Sequence, residues 1–207
     1  MSLPGIELIT DLLRPMLHDL DNTLETLLRN ELSAEIVAAT QISFATPDAE
    51  SIGSKPAINL FLYDVRENLE LRSGFESFER QGNGIAVRVR PAVRVDCSYL
   101  ITFWPKETTE QSSPKDEHKY LGMVMKALLR YRKLPAELLQ GDLAGQEPPL
   151  HTVSLQSGYL NSMGEFWQAM GGKPKVAINY TITISVPVHG EGEVVPLVTE
   201  SRLSPRG

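Results

Sequence analysis

The chain has 207 residues, 42% of them hydrophobic and 22% charged, with 20 Lys and Arg against 26 Asp and Glu for a net charge of −6. At roughly 100–200 residues per domain this is one large domain, or one domain plus an arm, and the composition excludes a collagen-like or wholly disordered chain. No uninterrupted apolar run approaches the ~18 residues of a membrane span, and the segment Met1 to Glu7 lacks the basic start and apolar stretch of a secretory signal. The single cysteine, Cys97, cannot close an intrachain disulfide, which points to synthesis in a reducing cytoplasm.

The charge is unevenly placed: residues 1–50 carry −7, residues 51–107 carry +1 and residues 108–207 carry zero. An acidic segment beside an arginine-containing middle can steer copies of the chain together, or it is simply a solvated helix face. Net acidity weighs against nucleic acid as the main partner.

In chain order, Leu13, Met16, Leu17, Leu20, Leu24 and Leu27 form one apolar stripe at helical period, with Asp11, Asp19 and Asp21 mostly off it. Pro15 is expected to kink this helix or mark its start, because it lacks a backbone donor. The helix should end near Asn30 to Ser33, and residues 40–56 read as loop. Residues 57–63, Ala-Ile-Asn-Leu-Phe-Leu-Tyr, read as a short strand, residues 64–78 are charged and ambiguous, and Gly82-Asn83-Gly84 reads as a turn.

From Val87 to Trp104 apolar odd positions alternate with Arg88, Arg90, Arg94, Asp96, Ser98 and Thr102. That pattern predicts a strand with one buried and one wetter face, interrupted or bulged at Pro91. The run from Val176 to Val188 repeats it. Two long half-buried strands predict an α+β fold: a mixed, mainly antiparallel β-sheet with helices packed on one face. Two more helices are signalled, one opened by Ser113-Pro114 and closing before Pro135, the other opened by Ser162 and stopping at Gly171-Gly172. The reading gives a domain over residues 1–188 and a C-terminal extended arm over 189–207, rich in Gly, Pro, Glu and Ser, which a neighbouring subunit would hold.

Catalytic signals are weak. His18, His118, His151 and His189 are scattered with no metal-ligand spacing, and Gly-x-Ser-x-Gly is absent. Cys97 falls on the apolar strand face, where cysteine is usually a small buried hydrophobe. No catalytic, cofactor-binding or metal-binding residue is assigned, and no cofactor is expected. Trp104 and Trp167 read as core or interface anchors. Two alternatives remain open: a hydrolase using buried carboxylates, and a nucleic-acid-binding adaptor using the Arg88, Arg90 and Arg94 face.

Four blocks in order carry a resemblance. They are residues 55–68 (Lys-Pro-Ala-Ile-Asn-Leu-Phe-Leu-Tyr-Asp-Val-Arg-Glu-Asn), the strand from Val93 ending Tyr-Leu-Ile-Thr-Phe-Trp at Trp104, Tyr120-Leu121-Gly122-Met123-Val124-Met125 leading to Leu134-Pro135, and Phe166-Trp167-Gln168-Ala169 followed by Lys173-Pro174. With these the chain resembles the cap, or tail-terminator, family of contractile injection systems of the antifeeding-prophage type, which are phage tail-like particles. The resemblance implies a tail-terminator-like fold and a structural, non-enzymatic protein. It implies a homohexameric ring that closes the baseplate-distal end of the inner tube and sheath and stops their polymerisation. Its partners would be copies of itself and the sheath and inner-tube proteins, with neither membrane nor nucleic acid, in the cytoplasm of the producing cell as part of a particle that can be released. Arg88, Arg90 and Arg94, facing Asp11, Asp19 and Asp21 of a neighbour, are candidate ring contacts. Glu191 and Glu193 on the arm are candidates for a further subunit or sheath contact.

Overall fold

The leucine stripe forms one long helix, α1 (Pro4–Glu31), in the computed structural model, which describes residues 4–52, 56–81, 85–105, 114–155, 163–171, 173–190 and 193–196. Met16, Leu20, Leu24 and Leu27 of the stripe are fully buried. Pro15 lies inside α1 rather than at its start. It is exposed, so its ring points away from the core and the helix continues past the one donor it lacks.

The expected loop over 40–56 holds structure too short to show a period: α2 (Ala34–Ala39) just before it, then β1 (Gln41–Ser43) and α3 (Ala49–Ile52). Asp48 caps α3, its Oδ1 accepting from the backbone N of Glu50 at 3.0 Å and of Ser51 at 2.8 Å. Then come β2 (Ala57–Glu67), β3 (Ser77–Gln81), β4 (Ile85–Val89), β5 (Val93–Trp104), α4 (Pro114–Leu129), β6 (His151–Ser154), α5 (Met163–Ala169), β7 (Ile178–Val186) and β8 (Glu193–Pro196). The turn expected at Gly82-Asn83-Gly84 and the caps expected at Ser113 and Ser162 lie outside the described residues.

The strands build two sheets. The larger has the order β1-β2-β5-β7-β6, antiparallel throughout except for the β1–β2 pair. The smaller has the order β3-β4-β8 and is antiparallel. The mixed α+β architecture expected from the alternating strands is therefore present. Of the two outcomes expected at Pro91, the structure has the interruption: Val87 to Trp104 is not one strand. The chain leaves the small sheet after Val89 and enters the large one at Val93, across a connection containing Pro91, which has no backbone N–H for a ladder.

The odd-numbered residues of β5 make the core with both long helices. Tyr99 Oη donates to Asp21 Oδ1 of α1 at 2.8 Å, and the Phe103 ring stacks on Tyr120 of α4 with centroids 4.3 Å apart. Leu60 and Ile58 of β2 and Tyr180, Ile182 and Ile184 of β7 complete this layer. The short helix α5 meets the opposite face, where Phe166 contacts Phe61 at 6.2 Å between centroids.

The face of β5 expected to be wetter is also buried. Asp96 is 7% exposed and Ser98 and Thr102 are 0% exposed. β5 lies between β2 and β7, so its short polar side chains are flanked on both sides, and they are bonded across the ladder. Thr183 Oγ1 donates to Asp96 Oδ1 at 2.7 Å, Asn68 Nδ2 reaches both Asp96 oxygens at 3.1 and 3.0 Å, and the Ser98 and Thr181 hydroxyls lie 3.0 Å apart. Buried polar groups persist where partners replace water, as these do.

Within the segment expected to be a C-terminal extended arm, residues 193–196 form β8 and pair with β4 of their own chain, from Ile85↔Pro196 to Arg88↔Glu193. The adjacent Val194 and Val195 supply the β-branched signal, in a run too short to stand out. The rest of the arm lies outside the described residues, apart from 189 and 190.

Candidate functional site

The three arginines expected on one strand face are divided between the sheets. Arg88, on β4, places Nε 2.5 Å from Glu76 Oε2, and Arg90, in the connection, places Nε 3.7 Å from Glu76 Oε1. Arg94, on β5, is 7% exposed and bonds through Nη1 to Ser185 Oγ. No continuous basic stripe exists among them, which removes the geometric basis of the nucleic-acid reading.

Two of the three helical acids serve their own chain. Asp19 Oδ2 accepts from the backbone N of Asp142 at 2.9 Å. The approach is so close that a Cβ at Gly141, whose φ is +52°, would fall 2.1 Å from that oxygen. Glycine alone suits both the space and the left-handed backbone there. Asp21 accepts from Tyr99, yet burial raises its carboxyl above the ordinary value, outweighing that bond and the nearby His18. Asp11 lies on α1 and Glu193 on β8, but their side chains, like Glu191 entirely, are outside the described residues.

Among the described residues nothing assembled resembles a catalytic centre. Cys97 is fully buried, and burial pushes its thiol up to about 12, so it stays protonated and inert. His18, His118 and His151 sit on α1, α4 and β6, and His189 follows β7. Among the described residues no group of three or more His, Cys, Asp or Glu is placed to hold a metal, and no helix is long and apolar enough to cross a membrane. Of the two tryptophans, Trp167 is buried, while Trp104 donates Nε1 to Thr102 Oγ1 at 2.9 Å and lies under Lys175, whose Nζ is 4.9 Å from the ring centroid.

The small sheet and the loop leading to it form the surface that sequence reasoning missed. Phe75 is 89% exposed, Phe78 57% and Val194 61%, with Leu69 and Leu71 also open. Among the described residues β3 and β8 are its free edges. The flanking Gly82-Asn83-Gly84 was a usable hairpin signal, but the mixed charge of residues 64–78 concealed the first strand.

The described residues form an α+β fold, an antiparallel-rich sheet backed by two long helices with a second small sheet, and this fold matches tail-terminator structures. Two solved structures show it. The PVC sheath/tube terminator of an extracellular contractile injection system, in its extended state, superposes with a TM-score of 0.66 at 25% identity, over 91% of this chain and 62% of that one. The anti-feeding prophage cap, a tube-terminating cap, gives 0.65 at 27% identity, over 90% of this chain and 60% of that one. The chain thus spans about three-fifths of the length of either structure. No curated protein matches the sequence. The family described as the Pvc16 N-terminal domain matches residues 19–201, and the chain belongs to that family.

Proposed function

We propose that this chain is a structural, non-enzymatic cap of a contractile injection system. It forms a homohexameric ring that closes the baseplate-distal end of inner tube and sheath and stops their growth. The observation that supports this most is the match of nine-tenths of the chain to a sheath/tube terminator and a tube-terminating cap. Its partners are then copies of itself and the sheath and tube proteins, and its place is a phage tail-like particle assembled in the producing cell's cytoplasm and open to release.

The ring needs two different patches on each subunit that close by rotation. The small sheet offers them: two distinct strand edges, β3 and β8, and the exposed Phe75, Phe78 and Val194 for the flank of a neighbouring copy. We place the contact here rather than at the pairing of Arg88, Arg90 and Arg94 with Asp11, Asp19 and Asp21, because Arg88 and Arg90 lie on Glu76, Arg94 is buried, and Asp19 and Asp21 accept from Asp142 N and Tyr99 within the chain. Native mass measurement of the purified chain together with sheath and tube ends tests the reading. A sixfold species that binds those ends is expected. A chain monomeric at every concentration that ignores both would overturn it.

A further inference from the structure

Where the chain passes between the two sheets lies a cleft of about 320 Å³, lined by Glu67, Arg72, Glu76, Arg90, Arg94 and His189 among others. Its arginines differ in kind. Arg72 and Arg90 have side chains 67% and 54% exposed and stand at the rim, with Arg72 Nε 3.1 Å from Glu67 Oε1 and Arg90 Nε 3.7 Å from Glu76 Oε1. Arg94 also lines the cleft and is 7% exposed. Among the described residues its guanidinium makes one hydrogen bond, to the neutral hydroxyl of Ser185, and no ion pair. The acid beside it on the strand, Asp96, spends its oxygens on Asn68 and Thr183.

A guanidinium has a planar fork of donors that matches a carboxylate in two parallel bonds. Taking such a cation out of water without an acceptor is costly. Burial draws the Arg94 pKa down, ahead of the opposing pull of Asp96, which agrees with a cation short of acceptors. Three arginines against two glutamates leave the lining one positive charge in excess, the charge that a single carboxylate neutralises and a phosphate dianion overshoots.

We propose that this cleft binds one carboxylate group, seated on the Arg94 guanidinium, with Arg90 and Arg72 guarding the rim. The site stands whether or not the chain builds a ring. The carboxylate can be that of a small free acid or an acidic side chain of another protein, and the chemistry at Arg94 is the same.

Thermal unfolding of the full chain at constant ionic strength tests this. Sodium acetate, and separately a blocked tetrapeptide of Asp and Glu, replaces sodium chloride. A saturable rise in the unfolding midpoint with carboxylate is expected, since a ligand that binds only the folded state stabilises it. Half-saturation by the peptide at about ten-fold lower concentration than by acetate assigns the site to a protein side chain, and equal concentrations assign it to a free acid. Arg94→Lys, which keeps the charge and loses the fork, should abolish the rise. Should Arg94→Lys fail to fold, Arg90→Gln at the rim is expected to weaken binding several-fold while leaving the unliganded midpoint unchanged. A midpoint identical in chloride and carboxylate, or a rise undiminished in both variants, overturns the proposal.

Discussion

The two sheets differ in strand length and in what covers them. In the large sheet, β5 is covered on its odd face by α1 and α4, and even its polar face is closed by hydrogen-bonded neighbours. In the small sheet, Ala86 of the central strand is buried while Phe78 and Val194 on the flanking strands stand in solvent. One sheet is held by helices of its own chain. The other, among the described residues, has two unpaired edge strands and an exposed phenylalanine.

The sharpest way to break this contrast is to truncate a residue in each sheet's environment. Leu24→Ala on α1, where the side chain is fully buried, should cost about 3 kcal/mol in urea denaturation, for lost burial and the cavity left behind. If it costs less than Phe78→Ser does, the two regions have been assigned the wrong way round.

Next in size is Tyr99→Phe. It deletes the bond to Asp21 and leaves a partly buried carboxylate with one acceptor unmet, an expected loss of about 1–2 kcal/mol by the same assay. Gly141→Ala should cost about 1 kcal/mol or more, because the left-handed backbone disfavours alanine and the new methyl displaces Asp19 from Asp142 N. The double variant with Asp19→Ala should show less than the summed loss, since one change already removes what the other disturbs.

Why the large sheet was readable and the small one was not follows from strand length and context. α1, β2, β5, β7 and α4 are long enough for a period of two or of 3.6 residues to repeat several times. β1, β6 and β8 have three or four residues each, too few for any period, and became strands only because a longer neighbour offered a ladder edge. The alternation from Val87 to Trp104 continued across Pro91, which signalled a break or a bulge but no change of sheet, so Arg88, Arg90 and Arg94 read as one face. Spacing along a chain cannot register a change of sheet. Burial of Asp96, Ser98 and Arg94 was hidden for a related reason, because it depends on which strands lie on either side. Cys97 as an inert buried thiol was legible from its place in the alternation alone.

A smaller effect separates Asp21 from the exposed acids. A carboxyl whose pKa is raised on folding holds its proton more tightly in the folded chain. Its stabilising contribution is therefore full below the unfolded value and is lost as pH rises through the folded one. Asp21→Asn, which keeps an acceptor for Tyr99, should flatten the decline in thermal midpoint above the ordinary aspartate value of 3.8 and change little below it. Last in size, Phe78→Ser should alter stability by no more than about 0.5 kcal/mol, because it truncates a side chain that is already more than half exposed. The same substitution should impair ring formation, read by native mass measurement, and a ring indifferent to both Phe75→Ser and Phe78→Ser would place the subunit contact elsewhere.

If this chain is the cap, its presence ends a growing tube. Particles assembled with and without this chain can be compared by electron microscopy for sheath and tube length. Uniform lengths with a ring at one end in its presence, and broad, open-ended lengths in its absence, are predicted. Equally uniform, closed particles in its absence would contradict it.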